Sequence, residues 1–481
     1  MKIAKLSANN SAIQSQECNS IPKILHFIYG LREDFGGKPF SFVHWAAIKS
    51  AAKLNPGYRI IFWHSFVPEG YYFEDLKDCL ELKKIDSPLE IFGNGLFHVA
   101  HQADVVRLRA LNELGGIYLD MDTVTVKNFD SILNNKFVMG VETVSGREIG
   151  LCNAVMAAKP KSVFGTLWLD EYRNFRGKGR DEDWNGHSGI LPSRLAKQYP
   201  EEISILPNEC FFCPDWGAAG LASMFINEES FPQALVHHLW ESASWGALKS
   251  FNENNVLLGK STYSKIMADL LKDEITELSL VKKRLVEGQL YRKNAKLNLG
   301  SGSKQLDGYI NCDMFRESGA DLVFDMSKDS WPIPSDSVSE IILSHALEHL
   351  RGDLQFFFSE LYRVSCDGAI IKISVPHPRH DYFLIDPTHV RSWLPESFLF
   401  LDKEVCSKWF FAGDSKTPLA LYWGIDFKII RSESKVLSDK KTILGLQNIL
   451  GKQVRPNVLS VNHNNIFTDV IVTLIARKKQ K

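Results

Sequence analysis

The chain has 481 residues, with 56 lysines and arginines against 57 aspartates and glutamates. That length exceeds the reach of one hydrophobic core and points to about two to three domains. The near balance of charge excludes the broad basic field of a nucleic-acid protein, so any anionic ligand must be gripped by local groups.

Residues 1–20 are polar and are expected to be loosely ordered. Their opening, MKIAKLSANNSAIQSQ, has no apolar signal core, and no run of about eighteen uncharged apolar residues follows anywhere. Secretion and membrane spanning are therefore not expected, and any membrane association would be peripheral, at the inner face. Ile21–Tyr29 reads as a first core strand, Asn55-Pro-Gly-Tyr58 as a turn, and Arg59–Trp63 as a second strand. Between 96 and 114, Val99, Ala103, Val106, Ala110, Leu111 and Leu114 recur at helical spacing, and Gly115-Gly116 supplies the stop. A short apolar strand then delivers Asp120 and Asp122.

After about residue 250 the composition changes. From 261 to 293 the chain is rich in Lys, Glu and Leu, with Leu271, Ile275, Leu278, Val281 and Leu285 three or four apart, the pattern of an amphipathic connecting helix. A linker is the default reading, and its apolar stripe is a candidate homodimer contact, although a coiled coil would need a longer heptad run. Lys296–Leu299 opens a new strand, turned by Gly300-Ser301-Gly302, and further strands are expected at 321–324, 340–343, 369–375, 426–430 and 469–476. The expected domains are thus a tail at 1–20, an α/β domain at 21–250, a helical linker at 251–294 and a second α/β domain at 295–481. Of the eight cysteines, the close pair Cys210 and Cys213 lacks the partner pair of a zinc site, which predicts reduced thiols and a cytoplasmic setting.

Side chains two apart on a strand share a face, so Asp120 and Asp122 can converge on one hard cation. A polar strand terminus is the plainer alternative. Asp104 and Arg107, three apart on the preceding helix, are neighbours on its surface, and Arg107 lies near the apolar stripe, where it requires a carboxylate or ligand partner. A structural ion pair would meet that need, and so would a binding role. A glycosidase is the rival use of two carboxylates, but those groups stand about 5 to 9.5 Å apart across the scissile bond. Two acids at one strand tip would repel without a cation between them.

Ile-Pro-Lys-Ile-Leu-His at 21–26, Asn-Pro-Gly-Tyr at 55–58, His-Gln-Ala-Asp-Val-Val-Arg at 101–107 and Gly-Gly-Ile-Tyr-Leu-Asp-Met-Asp at 115–122 together resemble the glycosyltransferases with a DXD-containing sugar-binding region. The resemblance runs from about 21 to 247. It implies a GT-A fold with a Rossmann-like mixed sheet, a UDP- or GDP-sugar donor, Mn2+ or Mg2+, a glycan or lipid-linked glycan acceptor, and retention at the anomeric carbon. By this likeness Asp104 and Arg107 would hold donor sugar and diphosphate, with Tyr118 beside them. Asp120 would serve the ribose and metal shell, and Asp122 the metal directly. Val236-His-His-Leu-Trp-Glu-Ser-Ala-Ser-Trp245 matches the closing segment of the family, which makes Trp240, Ser244 and Trp245 candidates for covering the diphosphate and His238 a further metal ligand. Glu142, Asn153 and Gly186–Gly189 are acceptor-side candidates, with ordinary loop structure as the plainer reading of each.

In the second domain, Gly300-x-Gly302 follows a strand, Asp313 ends the next and Asp325 the third, and such strand tips are where open parallel sheets bind nucleoside-like ligands. A general dinucleotide site remains open, although the third glycine of that fingerprint is missing. LNLGSG, YINCD, WPIPSDSVSEIILSHALEHL, SELYRV and AIIKISVP, over about 295–395, resemble class I S-adenosylmethionine-dependent methyltransferases of the small bacterial type, with Ser301 in place of a frequent cysteine. The likeness implies that Gly300, Ser301 and Gly302 face the methionine part of S-adenosylmethionine, Asp313 the ribose, and Asp325 with Met326 the adenine side. His345 or His349 is a candidate general base, as are His380, Asp381 and His389, with a hydrogen-bonded structural role as the plainer reading of each histidine. The combined expectation is a two-domain enzyme of glycan synthesis, joining sugar transfer to methyl transfer. The alternative is a glycosyltransferase whose second domain is a non-catalytic scaffold.

Overall fold

The computed structural model describes residues 20–436 and 464–478. Of the polar opening expected to be loosely ordered, all but Ser20 lies outside them, as does Cys18. The chain divides into two compact units, Met1–Leu248 with Lys260–Leu271, and Lys249–Gly259 with Lys272–Lys481. Both are mixed α/β.

The first unit is built on strands β1 (Ile24–Ile28), β2 (Arg59–His64), β3 (Glu81–Lys84), β4 (Gly116–Leu119), β5 (Thr123–Thr125), β6 (Phe137–Val144), β7 (Arg147–Ala158), β8 (Ser204–Leu206) and β9 (Val236–His238). Seven of them form one sheet in the order β8-β6-β7-β4-β1-β2-β3, in which β4 and β6 run antiparallel to β7 and β1, β2, β3 and β4 run parallel. All five residues of β1 are buried, as a central strand covered on both faces requires. The two leftover strands, β5 and β9, pair antiparallel in a separate ladder with His238 opposite Thr123.

Helix α1 (Phe42–Leu54) follows β1, and helix α2 (Val99–Leu114) precedes β4. His98 starts α2 by accepting the Ala100 amide on Nδ1 at 3.1 Å. Only the first of the paired glycines stops it: Gly115 sits at φ 64°, while Gly116 already belongs to β4. A Cβ on Gly116 would lie 2.6 Å from the Ile24 carbonyl oxygen, so close strand packing selects the second glycine.

The second unit carries β10 (Ala295–Leu299), β11 (Ile310–Asp313), β12 (Leu322–Val323), β13 (Val338–Ser344), β14 (Ser365–Pro376), β15 (Phe427–Val436) and β16 (Phe467–Ala476). Their order is β12-β11-β10-β13-β14-β16-β15, parallel except for β16, which runs antiparallel to both its neighbours. The order reverses between β10 and β13, which opens a crevice at their carboxyl ends. This is an open, Rossmann-like sheet.

The segment expected as a linker forms one long helix, α3 (Thr262–Tyr291), interrupted at Leu271, whose φ of −127° and ψ of 17° are not helical. The units divide at that residue. Tyr263 and Met267 are buried on the first side and Val286 and Leu290 join the core of the second, and of the apolar stripe Leu271, Ile275 and Leu278 are buried. Leu280, Val281 and Leu285 stay exposed.

Candidate functional site

Asp120 lies one residue beyond β4 and Asp122 in the turn before β5, so the pair occupies a strand-to-strand turn and not the strand itself. The β5–β9 ladder continues past its last pair through a 2.7 Å bond from the Leu239 amide to the Asp122 carbonyl, and this register sets His238 beside Asp122. His238 Nε2 stands 3.2 Å from Asp122 Oδ1, and the Glu241 amide donates to Asp122 Oδ2 at 2.6 Å. One donor atom from each of Asp120, Asp122 and His238 falls within 4.8 Å of the others.

On the opposite flank, Arg107 reaches Asp104 at 3.3 Å and Asp120 at 3.2 Å, and donates to the Asn153 carbonyl at 2.9 Å. Its guanidinium lies over the Tyr118 ring, 4.5 Å from the centroid. The Tyr118 hydroxyl in turn donates to Asp120 Oδ1. Asp104 and Arg107 are both buried, and they form the ion pair foreseen for them.

Burial and then the neighbouring Asp122 charge push the Asp120 carboxyl above its ordinary range, against the pull of Arg107. Burial would raise Asp122 as well, but the charge and hydrogen bond of His238 and the Glu241 amide outweigh it and hold this carboxyl well below the usual range. His238 shows the reciprocal effect: burial lowers it, and the Asp122 charge more than restores it, leaving it above the ordinary imidazole value. Two carboxylates and an imidazole form a donor set that fits Mn2+ or Mg2+. In addition, the buried Nδ1 of His238 has no hydrogen-bond partner among the described residues.

The closing segment stands at this site. Trp240, at φ 57°, gives its indole proton to the Pro214 carbonyl at 2.9 Å and packs on His238 with ring centroids 4.2 Å apart. The Ser244 hydroxyl is turned inward and donates to the Leu239 carbonyl at 2.6 Å. Trp245 lies near His44, and its face carries the Lys38 ammonium 5.1 Å from the centroid. Glu241, which sequence reasoning passed over, pairs with Lys38 at 2.7 Å and approaches His44 at 3.3 Å. The acceptor-side candidates have structural partners. Asn153 holds Asp104 at 2.8 Å, Glu142 takes the Trp216 indole at 2.9 Å, and the turn at Gly186–Ile190 presents the His187 carbonyl to Trp168 at 2.8 Å.

In the second unit, a cavity of about 610 Å³ opens at the carboxyl ends of β10, β11 and β13, lined by Gly300, Gly302, Asp313, Asp325, Met326 and His345 among others. That volume lies inside the range of roughly 300–1,000 Å³ of small-molecule sites. Asp313 accepts the Gly302 amide on one oxygen at 2.8 Å and the Phe315 amide on the other at 2.9 Å. Asp325 accepts both the amide (2.9 Å) and the hydroxyl (2.6 Å) of Ser327, and with Lys328 at 3.2 Å these contacts outweigh burial and lower its pKa. Ser301 is buried. His345, at φ 53°, sits 3.5 Å from Glu348 and 3.4 Å from Asp469. His349 also lines the cavity, and its Nδ1 meets the Thr388 hydroxyl at 2.8 Å. The carboxylates, apolar side chains and glycine turn that line it could hold an adenosyl sulfonium ligand. His380 is buried, and its Nδ1 accepts the Tyr382 amide at 3.1 Å, capping a short helix. Asp381 pairs with Asn465 at 2.9 Å.

Gly300 has φ 69°, and a Cβ there would lie 2.5 Å from the Ala346 Cβ. Gly300→Ala is therefore expected to destabilise the second unit by about 1–3 kcal/mol, through backbone strain and overpacking. Denaturant titration followed by tryptophan fluorescence checks this, and an unchanged midpoint would contradict it.

Among solved structures, the chain is similar to the PaToxG glycosyltransferase, at 20% identity over 38% of this chain and 70% of that one with a TM-score of 0.28. It is similar also to an S-adenosylmethionine-dependent methyltransferase from Archaeoglobus fulgidus, at 20% identity over 41% and 93% with a TM-score of 0.26. Both likenesses are slight, and nothing rests on them. Over 271 residues the chain is 31% identical to glucan organizing enzyme 1 of Cryptococcus neoformans var. grubii, which covers 53% of this chain and 73% of that protein. Residues 42–138, which hold Asp104, Arg107, Asp120 and Asp122 but stop short of His238, match the model of the glycosyltransferase sugar-binding region containing the DXD motif. On that match and that relative together, the chain belongs to the DXD-containing glycosyltransferase family.

Proposed function

We propose that the first unit transfers a sugar, with retention, from a UDP- or GDP-sugar to a glycan or lipid-linked glycan acceptor. A divalent cation held by Asp120, Asp122 and His238 would serve this reaction. The convergence of those three side chains within 4.8 Å, beside a buried arginine, carries the reading. When bound, the cation supplies positive charge to the diphosphate leaving group, which is worth most in the transition state. Arg107 adds fixed charge on the same side, oriented by Asp104 and Tyr118. The Trp240–Trp245 segment, anchored to Asp122 through Glu241, would exclude water from the diphosphate.

A thermal-shift panel of nucleotide sugars with Mn2+ tests this reading. The true donor raises the melting temperature only when the metal is present, because a ligand that binds the folded state alone stabilises it. If no donor in the panel shifts the transition, the assignment fails.

We propose further that the second unit binds S-adenosylmethionine in its cavity and methylates the same glycan or another product of its pathway. The cavity at the β10–β13 crevice supports this. Isothermal titration with S-adenosylmethionine followed by labelled methyl transfer separates the outcomes: binding without turnover would leave this unit as a cofactor-binding scaffold. Glycan from a methyltransferase-dead variant that still carried the wild-type methylation would remove the shared-pathway reading.

A further inference from the structure

The second unit holds a feature that cofactor binding does not require. Glu348 is wholly buried, yet neither of its carboxylate oxygens makes a hydrogen bond with a described residue. Its nearest partners are His345 Nδ1 at 3.5 Å and His389 Nε2 at 3.9 Å, and no lysine or arginine pairs with it among the described residues. A buried carboxylate so poorly matched is costly unless a cation completes it.

Two imidazoles near that carboxylate, His349 and His389, have tautomers set by their outer hydrogen bonds. The Phe383 carbonyl can only accept, so His389 Nδ1, 2.9 Å away, must carry the proton. Thr388 has one hydroxyl proton, directed to Asp386 Oδ1 at 2.6 Å, so at 2.8 Å it must accept from His349 Nδ1. In the neutral rings both Nε2 atoms then carry lone pairs. Second-shell bonds of this kind are what orient histidine ligands at metal centres. One donor atom from each of Glu348, His349 and His389 lies within 4.8 Å of the others.

We propose that Glu348, His349 and His389 form a second divalent-metal site, independent of Asp120 and Asp122 and of whether this unit transfers methyl groups. Two imidazoles and one carboxylate suit a borderline cation such as Zn2+, Co2+ or Mn2+ better than Mg2+ or Ca2+. Three protein ligands leave coordination positions open. The cluster borders a separate hollow of about 340 Å³, which shares His345 and His349 with the cofactor cavity. The open positions would take oxygen ligands from an acceptor in that hollow, and a molecule with adjacent hydroxyls is the class that fills two of them.

The test uses the full chain carrying Asp122→Ala, so that the first site does not contribute, stripped of metal and titrated with Co2+ by absorbance and elemental analysis. About one equivalent is expected to remain bound. Adding His389→Ala, or in a second protein Glu348→Gln, is expected to weaken that binding at least about tenfold while the far-ultraviolet circular dichroism and melting curve stay native. Thr388→Val, at an exposed position, removes the hydroxyl that accepts from His349 Nδ1 and donates to Asp386, and is expected to weaken binding by about tenfold. A purely structural cluster would not show that response. Cobalt binding that His389→Ala and Glu348→Gln leave unchanged, or no binding at all by the natively folded Asp122→Ala chain, would overturn the proposal.

Discussion

Asp122→Ala is expected to lower kcat/KM for sugar transfer by at least about a thousandfold, the equivalent of about 4 kcal/mol of transition-state stabilisation. The loss follows from position. Asp122 is the carboxyl of the pair that its surroundings hold anionic, through His238 at 3.2 Å and the Glu241 amide at 2.6 Å. Alanine removes both the charge and the anchor. Asp122→Asn keeps an acceptor for the Glu241 amide and is expected to fold as well as the wild type while remaining almost as inactive. Initial rates with a saturating donor, measured with and without Mn2+, check both variants. Full activity of Asp122→Asn, or of the wild type in thoroughly chelated buffer, would remove the cation from the reaction.

Arg107→Met is expected to produce the largest loss of stability, about 3–5 kcal/mol, because it leaves the buried Asp104 and the half-buried Asp120 without their counter-charge. Arg107 contacts both Asp104 and Asp120, and all three lie within a side-chain exposure of 24% or less. The pH dependence has a definite sign. Without the guanidinium, Asp120, already raised by burial, rises further, so the folded state binds protons that the unfolded chain releases. The destabilisation is therefore fully present at neutral pH and shrinks as pH falls through the raised folded value. Urea midpoints at pH 7 and pH 5 measure it, at constant m. A shift under about 1 kcal/mol at neutral pH would show that the two acids find another partner.

Much of this was legible in local pattern. The 3.6-residue spacing of Val99, Val106 and Ala110 marked α2, and the strand run at Ile21–Tyr29 contained β1. Asp120, Asp122 and Arg107 were singled out because short-range geometry constrains residues two or three apart. What local pattern could not show was pairing at long range. Asp122 and Glu241 are 119 residues apart and Asp104 and Asn153 are 49 apart, and no periodicity reports which distant segment supplies a partner. Glu241 therefore carries no local signal, and neither does the hydrogen bond from Asn153 to Asp104. Gly116 misled for a related reason: its absent side chain answers to Ile24, on a strand about ninety residues away. The break at Leu271 was hidden because the apolar stripe continues through it while the surface that it covers changes.

The tether between Asp122 and the 238–241 segment bears on any attempt to shorten this protein. A fragment ending where the family match ends, at residue 138, would retain both motif acids and the arginine. It would also lack the imidazole and the amide that keep one acid ionised. Such a fragment would display the signature without the partners that set the electrical state of Asp122.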